Sequence, residues 1–175
     1  LSNASLSNAS LSDASCNILS GKPPGAFMKI SDFLEPADAL IDVGTPNKQQ
    51  LLQMLAHKAA TTLGLQAEDI ASGLLKREDL GSTGMGRGVA IPHARSSVVK
   101  KPYGIIARLK PRLDFDAIDA EPVDLVFMLL LPAPSESDQL TALALVARKL
   151  KSPDTLTRLR QAKHAPEFYA AIVDG

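Results

Sequence analysis

The chain has no tryptophan, a single cysteine, 4% aromatic residues and no net charge, its 19 Lys and Arg balancing 19 Asp and Glu. Each shortage excludes a class of function. The one cysteine, Cys16, lies in the first 27 residues, so nothing from Met28 onward offers a thiol for a disulfide, a cysteine nucleophile or a Cys-ligated zinc site. Neutrality, with a pI near 7.0, leaves no field to attract a polyanion, and no local basic run replaces it. Nucleic acid is therefore not an expected partner. The longest apolar run, 123–131, contains Asp124 and stops at Pro132, short of the ~18 to 20 residues of a membrane helix. Membrane insertion is not expected. The start of the chain has no basic region followed by an apolar one, as a secretory signal would, which makes the cytoplasm the simplest compartment.

Residues 1–15 spell a five-residue unit three times, LSNAS LSNAS LSDAS, and the first 27 residues contain seven serines. Such a stretch has too little apolar surface to offset the entropy of ordering it. Residues 1–27 are expected to be a flexible, non-native leader, or else a native arm, with one domain spanning 28–175. Setting aside Asp13 and Lys22 leaves 18 charges of each sign, so the balance belongs to the domain.

Within that domain, Thr45-Pro46 predicts a helix start, and Leu51, Leu52, Leu55, Ala56, Ala59 and Leu63 share one helical face before Gly64. A second helix is expected from about residue 66, with Ile70, Leu74 and Arg77 on its inner face, ending before Gly81. Strands are expected over 89–91, 103–109 and 123–131, the last apolar enough to be central. Helices follow at 138–151, with Leu140, Leu143, Ala147 and Leu150 inward, then after Ser152-Pro153, and over 167–173. Helices alternating with strands predict an α/β fold with some antiparallel pairing.

The three histidines are the groups able to change charge near neutral pH. His57 lies opposite its helix's apolar stripe, and His164 sits in a turn between helices, where a cation at a helix C-terminus is the ordinary role. His93 differs. It follows Ile91-Pro92 at a strand end, just after Gly81-Ser-Thr-Gly-Met-Gly-Arg-Gly88, a loop with four glycines in eight residues. Glycines let backbone N–H groups approach an anion, Ser82 and Thr83 add hydroxyls, and Arg77 adds a guanidinium fork suited to phosphoryl oxygens. The plainer alternative is that Arg77 complements its helix C-terminus and the glycines make a tight turn. No Gly-Lys-Ser/Thr closes the loop, a helix rather than a strand precedes it, and no Gly-x-Ser-x-Gly surrounds Ser82, so nucleotide-binding and serine-hydrolase motifs do not apply. His93 has no second ligand at metal spacing.

The run Arg77-Glu-Asp-Leu-Gly-Ser-Thr-Gly-Met-Gly-Arg-Gly-Val-Ala-Ile-Pro-His-Ala-Arg95 closely resembles the active-site signature of IIA domains of the fructose/mannitol class of the bacterial phosphotransferase system, in its nitrogen-regulatory (IIA-Ntr) branch. The likeness continues through Phe115–Phe127, the following Leu-Pro-Ala and Leu143–Leu150. The resemblance implies a single domain with a five-stranded mixed β-sheet flanked by α-helices. It implies that His93 accepts a phosphoryl group from an HPr/NPr-type phosphocarrier, that Arg77 clamps the phosphate, and that Ser82, Thr83 and Gly84 lie around it. Many members carry a second histidine where this chain has Gln139, which can donate a hydrogen bond but carries no charge. Met85, Arg87, Val89 and Arg95 are expected at the partner surface. No cofactor and no metal are called for. The leading expectation is a regulatory phosphocarrier acting through its phosphorylation state. The alternatives are a transporter subunit passing phosphate to a IIB domain, or an anion-binding module that is never phosphorylated.

Overall fold

The computed structural model describes residues 27–134 and 136–174, so the expected leader falls outside the described residues except for Phe27. Strands are β1 (Ala39–Val43), β2 (Gly84–Gly86), β3 (Val89–Ala90), β4 (His93–Ser96), β5 (Tyr103–Leu113) and β6 (Val123–Pro132). Helices are α1 (Lys48–Leu63), α2 (Ala67–Asp79), α3 (Glu136–Lys151), α4 (Pro153–Gln161) and α5 (Ala165–Val173).

β6 is buried at every position, as its apolar run predicts, and lies centrally. It pairs antiparallel with β5 and parallel with both β3 and β4, while β1 runs parallel to β5 and β2 antiparallel to β3. β3 and β4 follow one another along the same edge of β6: Ala90 faces Val126 and His93 faces Leu129. The break between them is Ile91-Pro92, where proline has no N–H to donate to the ladder. Six strand segments thus occupy five places across a mixed sheet.

Each face of the sheet has its own core. On one, α1 and α2 pack Leu51, Leu55, Ile70 and Leu74 against Ile105, Val126 and Met128. On the other, α3, α4 and α5 pack Val146, Leu159 and Phe168 against Leu125, Phe127 and Leu129. Gly104 of β5 lies under the fully buried ring of Phe127, and a Cβ there would sit 2.7 Å from Phe127 Cε1. Gly104→Ala should therefore destabilise by about 1–3 kcal/mol through overpacking, read as a fall of several degrees in thermal midpoint.

Three local expectations are corrected. Asn47, rather than Thr45, caps α1 by accepting from Gln50 N–H at 2.9 Å, whereas Gly64 ends it with φ of 68°, in the left-handed region. Leu140 is 68% exposed, because α3 turns Gln139, Ala142, Val146 and Leu150 toward the sheet. On α2 the buried row is Ile70, Leu74 and Glu78, with Arg77 half-buried at its edge. The helix carries residues at i, i+4 and i+8 inward, and the charged member of that row is the glutamate. β1 escaped the periodicity because it is a short edge strand in which Asp42 takes a left-handed φ of 54°.

Candidate active site

His93 opens β4, where the Pro92 break delivers it beside the C-terminal turn of α2. Its Nδ1 lies 2.9 Å from the Ile91 carbonyl oxygen. A carbonyl only accepts, so Nδ1 carries the ring proton and Nε2 keeps its lone pair. That lone pair accepts from Arg77 Nε–H at 3.1 Å, and Arg77 Nη1 donates to the Gly81 carbonyl at 3.0 Å. Burial pushes the pKa of His93 below the ordinary histidine value of 6.5; the Ile91 carbonyl and the Glu78 carboxylate oppose the shift, and the charges of Arg77 and Arg95 add to it. Burial favours the neutral ring, in one tautomer, with a cation at its unprotonated nitrogen.

The loop beside it is tied inward. Thr83 N–H is 3.2 Å from both oxygens of Glu78, and the Thr83 hydroxyl donates to Oε2 at 2.6 Å. Ser82 donates its hydroxyl proton to the Phe115 carbonyl, and its oxygen accepts from Gly84 N–H at 3.0 Å. Gly81 N–H donates to the Glu78 carbonyl at 3.0 Å. Of the expected cradle of backbone donors, those of Gly81 and Thr83 are already committed to Glu78 and that of Gly84 to Ser82. Gly84 is required for close approach, since a Cβ there would be 2.8 Å from Ala117 Cβ.

Gln139 is 3% exposed at the start of α3, donating from Nε2 to the Pro132 carbonyl, while Oε1 has no partner. Pro132 faces Ser96, three residues along β4 from His93, about 10 Å at ~3.3 Å per residue. Gln139 thus lies toward the same end of the sheet and shares no hydrogen bond with His93.

The expected partner surface is only partly assembled. Val89 is 1% exposed and belongs to the core, which overturns its assignment as a contact. Arg87 sits at the tip of the β2–β3 hairpin with φ of 58°, its Nη1 donating to the Lys151 carbonyl at 3.0 Å. Val89 faces Leu125 and His93 faces Leu129, a separation of roughly 13 Å, and Arg87 lies beyond the farther rung. Met85 is half-buried against the core, and Arg95 is exposed two residues beyond His93 on β4. His57 is exposed, and His164 is the exposed N-cap residue of α5 rather than a cation at a helix C-terminus.

Two site residues escaped sequence reasoning. Glu78 was legible in principle, as the third member of the Ile70, Leu74 row. Lys48 gave no signal, because it reaches Glu78 from α1, at 3.2 Å, across 30 residues of chain. Among the described residues, no three of His, Cys, Asp and Glu converge so as to hold a metal ion. No described helix is long and apolar enough to cross a membrane.

Comparison with known proteins gives the family and the fold. The family described as "phosphoenolpyruvate-dependent sugar phosphotransferase system, EIIA 2" matches residues 32–174. A nitrogen regulatory protein of Bradyrhizobium diazoefficiens is 41% identical over 145 residues, covering 83% of this chain and 95% of the relative. One from Pseudomonas aeruginosa is 37% identical over 148 residues, covering 84% and 96%. The crystal structure of nitrogen regulatory protein IIA-Ntr from Neisseria meningitidis superposes with a TM-score of 0.77 at 32% identity, covering 82% of this chain and 98% of that one. The mannitol IIA of Escherichia coli, at 16% identity and a TM-score of 0.64 over 78% and 96%, shares the fold. The chain belongs to the EIIA 2 family of the phosphoenolpyruvate-dependent sugar phosphotransferase system, alongside the members named nitrogen regulatory proteins.

Proposed function

We propose that His93 Nε2 accepts a phosphoryl group from the phosphohistidine of an HPr/NPr-type carrier, and that the phosphorylation state of this protein controls its binding to regulatory targets in the cytoplasm. The observation that carries the reading is the Arg77–His93 pair: a ring whose unprotonated nitrogen already accepts from a guanidinium. In the transfer the donor's N–P bond breaks, an Nε2–P bond forms, and the donor ring leaves as a neutral imidazole. The proton on His93 Nδ1 stays in place, and the Ile91 carbonyl stabilises the cationic ring that results. Arg77 gives up the ring nitrogen and turns its donors to the phosphoryl oxygens, where charge is spread in the transition state. With the N–H groups of Gly81, Thr83 and Gly84 and both hydroxyls committed, Ser82, Thr83 and Gly84 serve as the wall that shapes the pocket, and Gln139 lies toward the same end of the sheet.

The depressed pKa of His93 sets the pH profile. An imidazole that stays neutral below 6.5 should keep transferring on the acid side of that value, so the midpoint of the rate profile is expected below 6.5. A midpoint above 6.5 in quench-flow transfer assays would contradict it.

Docking of a protein donor has an apolar rim available. Leu80, 86% exposed, and Ile118, 90% exposed, flank in sequence the 81–84 loop and the 115–117 segment, which meet where Ser82 bonds the Phe115 carbonyl and Gly84 packs on Ala117. Ile118→Asp should raise KM for the protein donor about tenfold while labelling by phosphoramidate, a small donor, is unchanged; equal losses with both donors would place Ile118 outside the docking face.

The defining experiment is intact-protein mass spectrometry after incubation with phosphoenolpyruvate, Enzyme I and an HPr-type carrier. One acid-labile phosphoryl addition is expected. No addition with several carriers, combined with saturable phosphate binding, would identify an anion-binding module instead. Transfer onward to a fructose- or mannitol-type IIB would favour the transport role.

A further inference from the structure

Glu78 is a carboxylate buried beside a site that is to gather negative charge, with its side chain 5% exposed. Burying a charge is costly unless it is paired and hydrogen-bonded, and here the partners come from the loop before His93 and from α1. Its oxygens take the N–H and hydroxyl of Thr83 from the loop, and the ammonium of Lys48 from the start of α1. Lys48 also meets Asp116 at 2.9 Å and the Phe115 carbonyl at 3.4 Å. That same carbonyl accepts the Ser82 hydroxyl. The start of α1, the end of α2, the 81–84 loop and the 114–117 segment therefore converge on one ion pair.

We infer that Glu78, neutralised by Lys48, is a positioning residue of the phosphoryl site: it locks the 81–84 loop against the end of α2, so that Arg77 is held on the ring of His93. The inference rests on the phosphoryl-transfer reading of His93. A glutamine at 78 has one acceptor oxygen for the two donors of Thr83, and its amide would turn donors toward the Lys48 ammonium. Only the carboxylate satisfies both sides. The charged groups facing His93 are Arg77 and Glu78 from α2 and Arg95 from its own strand, with Lys48 and Asp116 standing behind Glu78.

The test pairs transfer kinetics from phospho-carrier with an NMR titration of His93 in the unphosphorylated protein, for Glu78→Gln, Thr83→Val, Lys48→Met and Lys48→Arg. Glu78→Gln should slow transfer about tenfold and move the His93 midpoint further down, since an anion that favours the charged ring is gone. Thr83→Val keeps that anion, so it should slow transfer without moving the midpoint. Lys48→Arg should retain more activity than Lys48→Met. A wild-type rate in Glu78→Gln overturns the inference. So does a His93 midpoint that rises toward 6.5, because that reports an unravelled loop and a solvated ring rather than lost positioning. If Glu78→Gln does not fold, equal wild-type rates in Thr83→Val and Lys48→Met overturn it. If no carrier labels the wild type, the phosphoryl-transfer reading fails by itself, while the titrations still decide whether Glu78 governs the ring.

Discussion

His93→Ala is expected to abolish acid-labile phosphorylation completely and to leave the fold in place. The ring contributes two hydrogen bonds, to the Ile91 carbonyl and from Arg77, each worth about 1 kcal/mol net. Alanine is a weaker strand former, but β4 keeps its pairing with β6 from Ala94 to Ser96. The expected cost is about 1–2 kcal/mol of stability, a shift of a few degrees in thermal midpoint against total loss of the covalent label. Intact mass after carrier treatment measures the first and calorimetry the second. A phosphohistidine persisting in His93→Ala would move the acceptor to His57 or His164, both of which are exposed.

Arg77→Ala carries the second largest expected effect, a slowing of transfer by about 10²–10³, the usual cost of removing one preorganised donor from a developing anion. The magnitude is high because so little else is free. Gly81 and Thr83 give their N–H groups to Glu78 and Gly84 gives its own to Ser82, while the hydroxyl protons of Ser82 and Thr83 go to Phe115 and Glu78. The acceptor itself remains, so phosphorylation should still reach one group per chain given time. Arg77→Lys should restore only part of the rate, because an ammonium presents a point charge in place of a fork that spans His93 and the Gly81 carbonyl. Removing Arg77 also removes a cation facing the ring, and the His93 midpoint should rise accordingly. Rates equal to wild type in rapid-quench assays would reduce Arg77 to a cap on the C-terminus of α2.

Much of the architecture follows from local chemistry. The apolar run 123–131, interrupted only at Asp124, predicts a strand covered on both faces, and β6 is that strand. Gly64 and Ser152-Pro153 set helix boundaries through backbone preferences that hold in any context. The 77–95 signature was equally legible, because proline before His93 and glycines before that are constraints written residue by residue.

What periodicity did not settle was which face of a helix would point inward. α3 carries apolar residues on both sides, and only its packing on β6 decided that Ala142 and Val146 are buried while Leu140 faces solvent. The same holds at α2, where one step around the helix separates half-buried Arg77 from buried Glu78.

Composition and motif by themselves determined that this is an α/β domain with a histidine at a strand end just after a glycine-rich loop. The tertiary structure alone decided how the loop spends its donors and which charges surround the ring. Lys48, Glu78 and Phe115 are far apart in sequence and meet only because α1 and α2 lie on one face of the sheet. It likewise sent Val89 into the core and Arg87 to the far end of β6, since strand register, not sequence proximity to His93, fixes which side chains share a surface.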